Sequence, residues 1–163
     1  MINPILPPIT HHRGHIKIPA LNFGLSVFNH FYRSITKRDG LENRWKRHWH
    51  NHQALKAGLD ALNLHYTADA SCQLPQLNAV RIPEGVDDLK GRKFLLERFG
   101  IEVGGGLGDF KGKVWRIGLM GYNSKPSVVL LALAALEQAL ANQGVKVNPG
   151  AAVGAANNYY AKA

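Results

Sequence analysis

Residues 112–121 read Gly112-Lys113-Val114-Trp115-Arg116-Ile117-Gly118-Leu119-Met120-Gly121. β-Branched, aromatic and long apolar side chains fill the middle and glycines bound it, which is the pattern of a β-strand. Successive strand side chains point to opposite faces. Trp115, Ile117 and Leu119 therefore share one face, and Val114, Arg116 and Gly118 share the other. With the first set in the core, Arg116 points away from it, into water or into a site. A guanidinium presents a planar fork that matches a carboxylate through two parallel hydrogen bonds. Periodicity alone is also satisfied by an ordinary surface arginine on a strand.

Working outward, Ile101-Glu102-Val103 reads as a short strand entering Gly104-Gly105-Gly106-Leu107-Gly108. Leu77-Asn78-Ala79-Val80-Arg81-Ile82 alternates and stops at Pro83, which reads as another strand. After a turn at Pro83-Glu84-Gly85, Asp87 or Asp88 caps a helix carrying Leu89, Phe94, Leu95 and Phe99, and Gly100 ends it. Pro126 fits the first turn of a helix that runs to about Asn142 and is stopped by Gly144.

The clearest helix covers residues 41–63. Leu41, Trp45, Trp49, Leu55, Leu59 and Leu62 form its apolar stripe, with one gap near His52, and Asn63 terminates it. Gly58 inside it costs about 1 kcal/mol relative to Ala, so a packing reason is expected there. A short strand is expected at residues 64–67. Leu21, Leu25, Phe28, Tyr32 and Ile35 place residues 19–36 on a helix, preceded by an irregular Pro- and His-rich arm. The order of elements predicts an α+β fold: a small, mainly antiparallel sheet with helices packed on one face, preceded by a helical arm. Three regions result: an N-terminal arm and helix at 1–38, the α+β domain at 39–143, and an Ala-, Gly- and Asn-rich tail at 144–163, expected to be poorly ordered.

At 163 residues, with 45% hydrophobic and 19% charged residues, the chain fits one globular domain with extensions and excludes wholesale disorder. The lone Cys72 excludes an intrachain disulfide and a cysteine-only metal site, and favours a reducing compartment. The longest purely apolar run, 128–136, has nine residues; a membrane-spanning helix needs about 20. Met1-Ile2-Asn3-Pro4 opens no secretory signal, and Ala161-Lys162-Ala163 lacks the final Leu of a peroxisomal address. The expected location is cytoplasmic.

The formal net charge of +9 raises the question of nucleic acid. The densest basic stretch is Arg44-Trp45-Lys46-Arg47-His48-Trp49-His50, where bases alternate with aromatics as in single-strand binders. The competing reading, and the favoured one, is a solvated helix face with both tryptophans turned to the core.

Other chemistries find little support. The glycine cluster is neither a dinucleotide fingerprint, since Asp109 stands at the third glycine position, nor a P-loop, since Leu107 and Val114 break the pattern. Its glycines are expected to allow a tight turn or a close approach. His48 and His52 are four apart on a helix, and His11, His12 and His15 form a second cluster, but neither has a third ligand in register, so no metal site is assigned. No nucleophile elbow occurs, and Cys72 reads as an inert thiol.

Three motifs in order resemble the C-terminal small domain of the alanine–glyoxylate / serine–pyruvate aminotransferase family, the class V enzymes that use pyridoxal phosphate. They are residues 76–88, 101–108 and 112–121; Leu41-Glu42-Asn43-Arg44-Trp45 also fits, and the likeness covers roughly 39–150. The resemblance implies an α+β small domain at 39–143. It implies that Arg116, in the Val-Trp-Arg-Ile-Gly-Leu strand, pairs with the substrate carboxylate. The face argument above agrees with that role. Upstream, the family's Tyr-His-His-Thr segment is replaced by Thr10-His11-His12-Arg13, so its phosphate-contacting roles are not carried over.

The family's Schiff-base lysine, in a Ser-Gly-x-Gln-Lys segment, and its pyridine-pairing aspartate lie in a preceding domain with no counterpart here. Transamination needs that lysine as imine partner and as proton carrier. Whether this chain is itself an enzyme is therefore left open, with no catalytic residue assigned and no cofactor expected on this chain alone. The reading is a carboxylate-binding domain of an aminotransferase, truncated or split, and inactive by itself. Its expected partners are amino acids or 2-oxo acids, and a cofactor-domain chain or a full-length homologue of this homodimeric family. The first alternative is a non-enzymatic module docking on an intact aminotransferase; the second is nucleic-acid binding through 44–50.

Overall fold

The computed structural model describes residues 40–162. The expected arm, the helix at 19–36 and the cluster of His11, His12 and His15 lie outside the described residues. The described residues from Leu41 onward belong to one compact unit.

Helix α1 spans Gly40–Ala61. Asn63, just beyond it, takes the left-handed conformation at φ 57°, which asparagine tolerates better than most residues. The backbone N–H of Leu64 then turns back to the Leu59 carbonyl at 2.9 Å. Strand β1, Leu77–Arg81, ends before Pro83 as expected. Asp87 caps α2, Asp88–Phe99, by accepting from the Lys90 backbone N–H at 2.8 Å, and left-handed Gly100 closes it. Strand β2 is only Gly104–Gly105. Strand β3 is Val114–Gly118, helix α3 is Pro126–Ala141 and helix α4 is Ala151–Lys162.

The sheet order is β1-β3-β2, with both pairings antiparallel. Asn78 faces Ile117 and Val80 faces Trp115 across the first ladder. All four are buried, so this is the core face. The helices pack on it. Gly91 of α2 lies beneath the Trp115 ring, and His52 of α1 donates from Nδ1 to Asn78 Oδ1 at 2.6 Å. The α+β reading thus holds. α3 buries Val129, Leu133, Leu136 and Leu140 and packs against both α2 and α4. No described helix is long and apolar enough to cross a membrane.

Four expectations need correction. The segment at 144–163 was expected to be loose, yet it contains α4, which buries Ala152 and Ala156 completely. Small side chains allow close packing, and α4 is tied in by Tyr160, whose hydroxyl donates to Asn51 Oδ1 at 2.8 Å. Burial, with Tyr159 alongside, pushes that hydroxyl up to about 12, so it stays a donor. The strand expected at 101–103 begins instead at Gly104. The Ile101 N–H is spent on the Leu95 carbonyl as the chain leaves α2. The strand expected at 64–67 is a single bridge, Tyr66 to Val80.

The fourth correction concerns α1. Its buried face is His48, Asn51, His52, Ala54, Leu55, Gly58 and Leu59, continued by Leu62 just beyond the helix, a series at helical spacing. Leu41, Trp45 and Trp49 fall beside that face and remain half-exposed, at 53%, 56% and 50%. The tryptophans are not turned to the core. The polar residues are buried because each finds partners. His48 Nδ1 donates to the Arg44 carbonyl at 2.6 Å, and its Nε2 accepts from the Gly121 N–H at 3.3 Å. Asn51 donates to Ser124 Oγ at 3.1 Å.

Candidate functional site

Arg116 sits at the middle of the central strand, and its orientation follows from its neighbours. Trp115, Ile117 and Leu119 are each no more than 4% exposed, so alternation sends Arg116 to the opposite face. Val114, on that same face, is nevertheless buried. The cross-strand neighbours of Arg116 there are Ala79 on β1 and Gly104 on β2, the two smallest kinds of side chain. They leave room for the guanidinium. Arg116 Nε donates to the Gly105 carbonyl at 2.7 Å. Among the described residues no hydrogen bond or ion pair engages either Nη. Such a fixed, half-buried guanidinium is suited to two parallel bonds with a carboxylate.

The other sequence candidates do not join it. The ring nitrogens of His48 are committed as described, and those of His52 face Asn78 and Gln73. Among the described residues no group of three or more His, Cys, Asp or Glu is placed to hold a metal ion. Cys72 is exposed, in a short 3-10 turn capped by Asp69. The glycine cluster serves close approaches: Gly104 lies under Arg116, and a Cβ on Gly106 would overlap the Phe110 carbonyl. In the basic stretch, Lys46, Arg47, Trp49 and His50 line a shallow open hollow with Tyr159. His48 turns inward.

No protein-family profile matches the chain. Individual proteins do. It is 42% identical over 129 residues to (S)-ureidoglycine–glyoxylate transaminase of Bacillus subtilis, which covers 79% of this chain and 31% of that protein. This chain is homologous to the C-terminal portion of the class V, alanine–glyoxylate type aminotransferases. Alanine–glyoxylate aminotransferase of Callithrix jacchus is 42% identical over 108 residues, 66% of this chain and 26% of that one. The crystal structure of the Bacillus subtilis ureidoglycine–glyoxylate aminotransferase superposes with a TM-score of 0.73 at 41% identity, over 76% of this chain and 32% of that one. The chain thus spans about a third of the length of the aminotransferases it matches.

Strand alternation marks Arg116 as a candidate, whereas the glycines beside it carry no side-chain signal. Gly104 and Gly105 were read as a turn or an approach, without a partner. Their position beside Arg116 is set by the ladder, which pairs Gly104 with it.

Proposed function

We propose that this chain is the part of an aminotransferase that grips the carboxylate of an amino acid or 2-oxo acid, with Arg116 as the contact. The observation that carries this reading is the guanidinium itself. It turns away from the core on the central strand and is anchored through Nε, with both Nη groups unengaged among the described residues. The kinship with aminotransferases acting on glyoxylate supports a small carboxylate as ligand.

Pyridoxal phosphate, where bound, supplies the electron sink for transamination. The reading places its site outside this chain. Every described lysine is exposed or half-exposed, and Lys125, one of the less exposed, lies over the Tyr122 ring at 3.3 Å from its centroid. The reading is therefore of a substrate-binding part that does not transaminate alone. Incubated with pyridoxal phosphate, alanine and glyoxylate, the purified chain is expected to form no pyruvate; sustained pyruvate formation overturns this.

Arg116 is tested by titrating the 15N-arginine-labelled chain with pyruvate. Its side-chain resonances are expected to shift, with those of Arg92 as internal control. Arg116→Ala should raise the half-saturating pyruvate concentration by about tenfold or more, the worth of a charged hydrogen-bond pair. Arg116→Lys should fall between, because an ammonium keeps the charge and loses the fork. Equal titrations for wild type and Arg116→Ala would rule the contact out.

A second reading, docking on the rest of an aminotransferase, is favoured by one observation. Leu41, Trp45 and Trp49 form a half-exposed stripe at spacing i, i+4, i+8 along α1. Aromatic stripes of this kind anchor interfaces. The occupant we assign is the two thirds of such an aminotransferase that this chain does not match. Co-expressed with the Bacillus subtilis relative lacking its matched portion, this chain should co-sediment with it as a complex. Trp45→Glu with Trp49→Glu should weaken that complex by roughly thirtyfold or more, as loss of two tryptophan anchors implies. Independent sedimentation of the two wild-type chains would end this reading.

A further inference from the structure

β2 consists of two glycines, and a guanidinium lies against each. Gly104 pairs with Arg116 across the ladder, and Gly105 pairs with Trp115. Paired residues share a face, so Gly104 opens onto the Arg116 side and Gly105 onto the core side. A Cβ on Gly104 would stand 3.2 Å from Arg116 Nη2 and 3.4 Å from its Cζ and Nε. A Cβ on Gly105 would stand 3.4 Å from Arg92 Cζ and Nη2. The two guanidiniums thus lie over the strand from opposite sides. Arg92 is held there by Asp88, which accepts from Nε at 2.8 Å and from Nη2 at 3.3 Å.

This arrangement selects which edge of Arg116 is offered. A guanidinium takes a carboxylate side-on, through Nε and one Nη, or end-on, through both Nη groups. Nε of Arg116 is already spent on the Gly105 carbonyl. Only the end-on edge remains. Resting on the carboxylate reading above, we propose that β2 is a seat that sets Arg116 for end-on capture, and that Gly104 is its positioning residue. A Cβ at 104 pushes Arg116 Nη2 aside by a few tenths of an ångström, which strains the Nε bond and misaligns the end-on edge. Neither β2 glycine has a positive φ, so a substitution there acts through space and not through backbone strain.

The test uses the full chain, labelled with 15N and 13C, with pyruvate as probe. The first readout is the scalar coupling across the hydrogen bond between Arg116 Nε and the Gly105 carbonyl carbon. The second is the half-saturating pyruvate concentration. In wild type the coupling should persist at saturation while the Nη resonances shift. Gly104→Ala should abolish or halve the coupling and raise half-saturation by roughly tenfold, the order of effect that a small misplacement of a binding group produces. Gly118→Ala, which faces open space up to the Met120 side chain, should match wild type. Loss of the wild-type coupling on pyruvate binding overturns the end-on assignment. Unchanged coupling and affinity in Gly104→Ala overturn the positioning role. Wild-type Arg116 resonances that ignore pyruvate overturn the carboxylate reading itself, and that failure is recognisable because it precedes any substitution.

Discussion

Trp115→Ala lowers the unfolding free energy by about 4 kcal/mol, in the range for truncating a fully buried tryptophan. Trp115 has no exposed surface and stands on the central strand. Its ring is seated on α2 at Gly91, where a Cβ would come within 2.6 Å of Cζ2. Helix and sheet therefore meet at this ring with no atom between them. Its indole N–H donates to Asp88 Oδ1 at 3.0 Å, at the start of α2. Alanine removes the contact surface, leaves a cavity under α2 and takes one donor from Asp88. Trp115→Phe separates these terms. It keeps much of the ring and loses the donor, while Asp88 retains Arg92. A loss of about 1–2 kcal/mol is expected for it. Urea titration checks both, through a lower midpoint at unchanged slope. A wild-type midpoint for Trp115→Ala would mean that the ring does not join helix to sheet.

Gly58→Ala is expected to destabilise the chain by about 2 kcal/mol, against the usual direction for an exposed helical site. Helix propensity by itself favours alanine by about 1 kcal/mol. The new Cβ, however, would lie 2.3 and 2.6 Å from the two Leu133 methyls and 2.9 Å from the Ala152 carbonyl oxygen. Leu133 is fully buried on α3, and Ala152 offers backbone on α4. Neither can yield without moving a helix. The overlap outweighs the propensity gain. Leu133→Ala in the same chain should recover part of the loss, so the double-mutant cycle gives a coupling of opposite sign to the two single effects. A Gly58→Ala chain more stable than wild type would place α1, α3 and α4 further apart than described.

Both predictions rest on positions that the sequence marked in different ways. Gly58 was marked as a cost needing a reason, and the reason is the meeting of three helices. Trp115 was marked by alternation, and the same alternation turned Arg116 outward. The outward turn is observed; its service to a carboxylate is the reading proposed above.

Local signals decided what depends on a few neighbouring residues. Pro83 stops β1 because it cannot donate to a ladder. Asp87 caps α2, Gly100 and Asn63 take left-handed turns, and Pro126 starts α3, each through contacts within four residues. Tertiary structure alone decided three things. It buried His48, Asn51 and His52 and left Trp45 and Trp49 half-exposed, because burial follows from available partners and apolar periodicity counts only hydrophobicity. It made α4 from a segment without strong caps, because Ala152 and Ala156 are small enough to be buried completely. It made a strand of Gly104 and Gly105, which have no side chain to signal one, because β3 presents the free backbone groups they pair with.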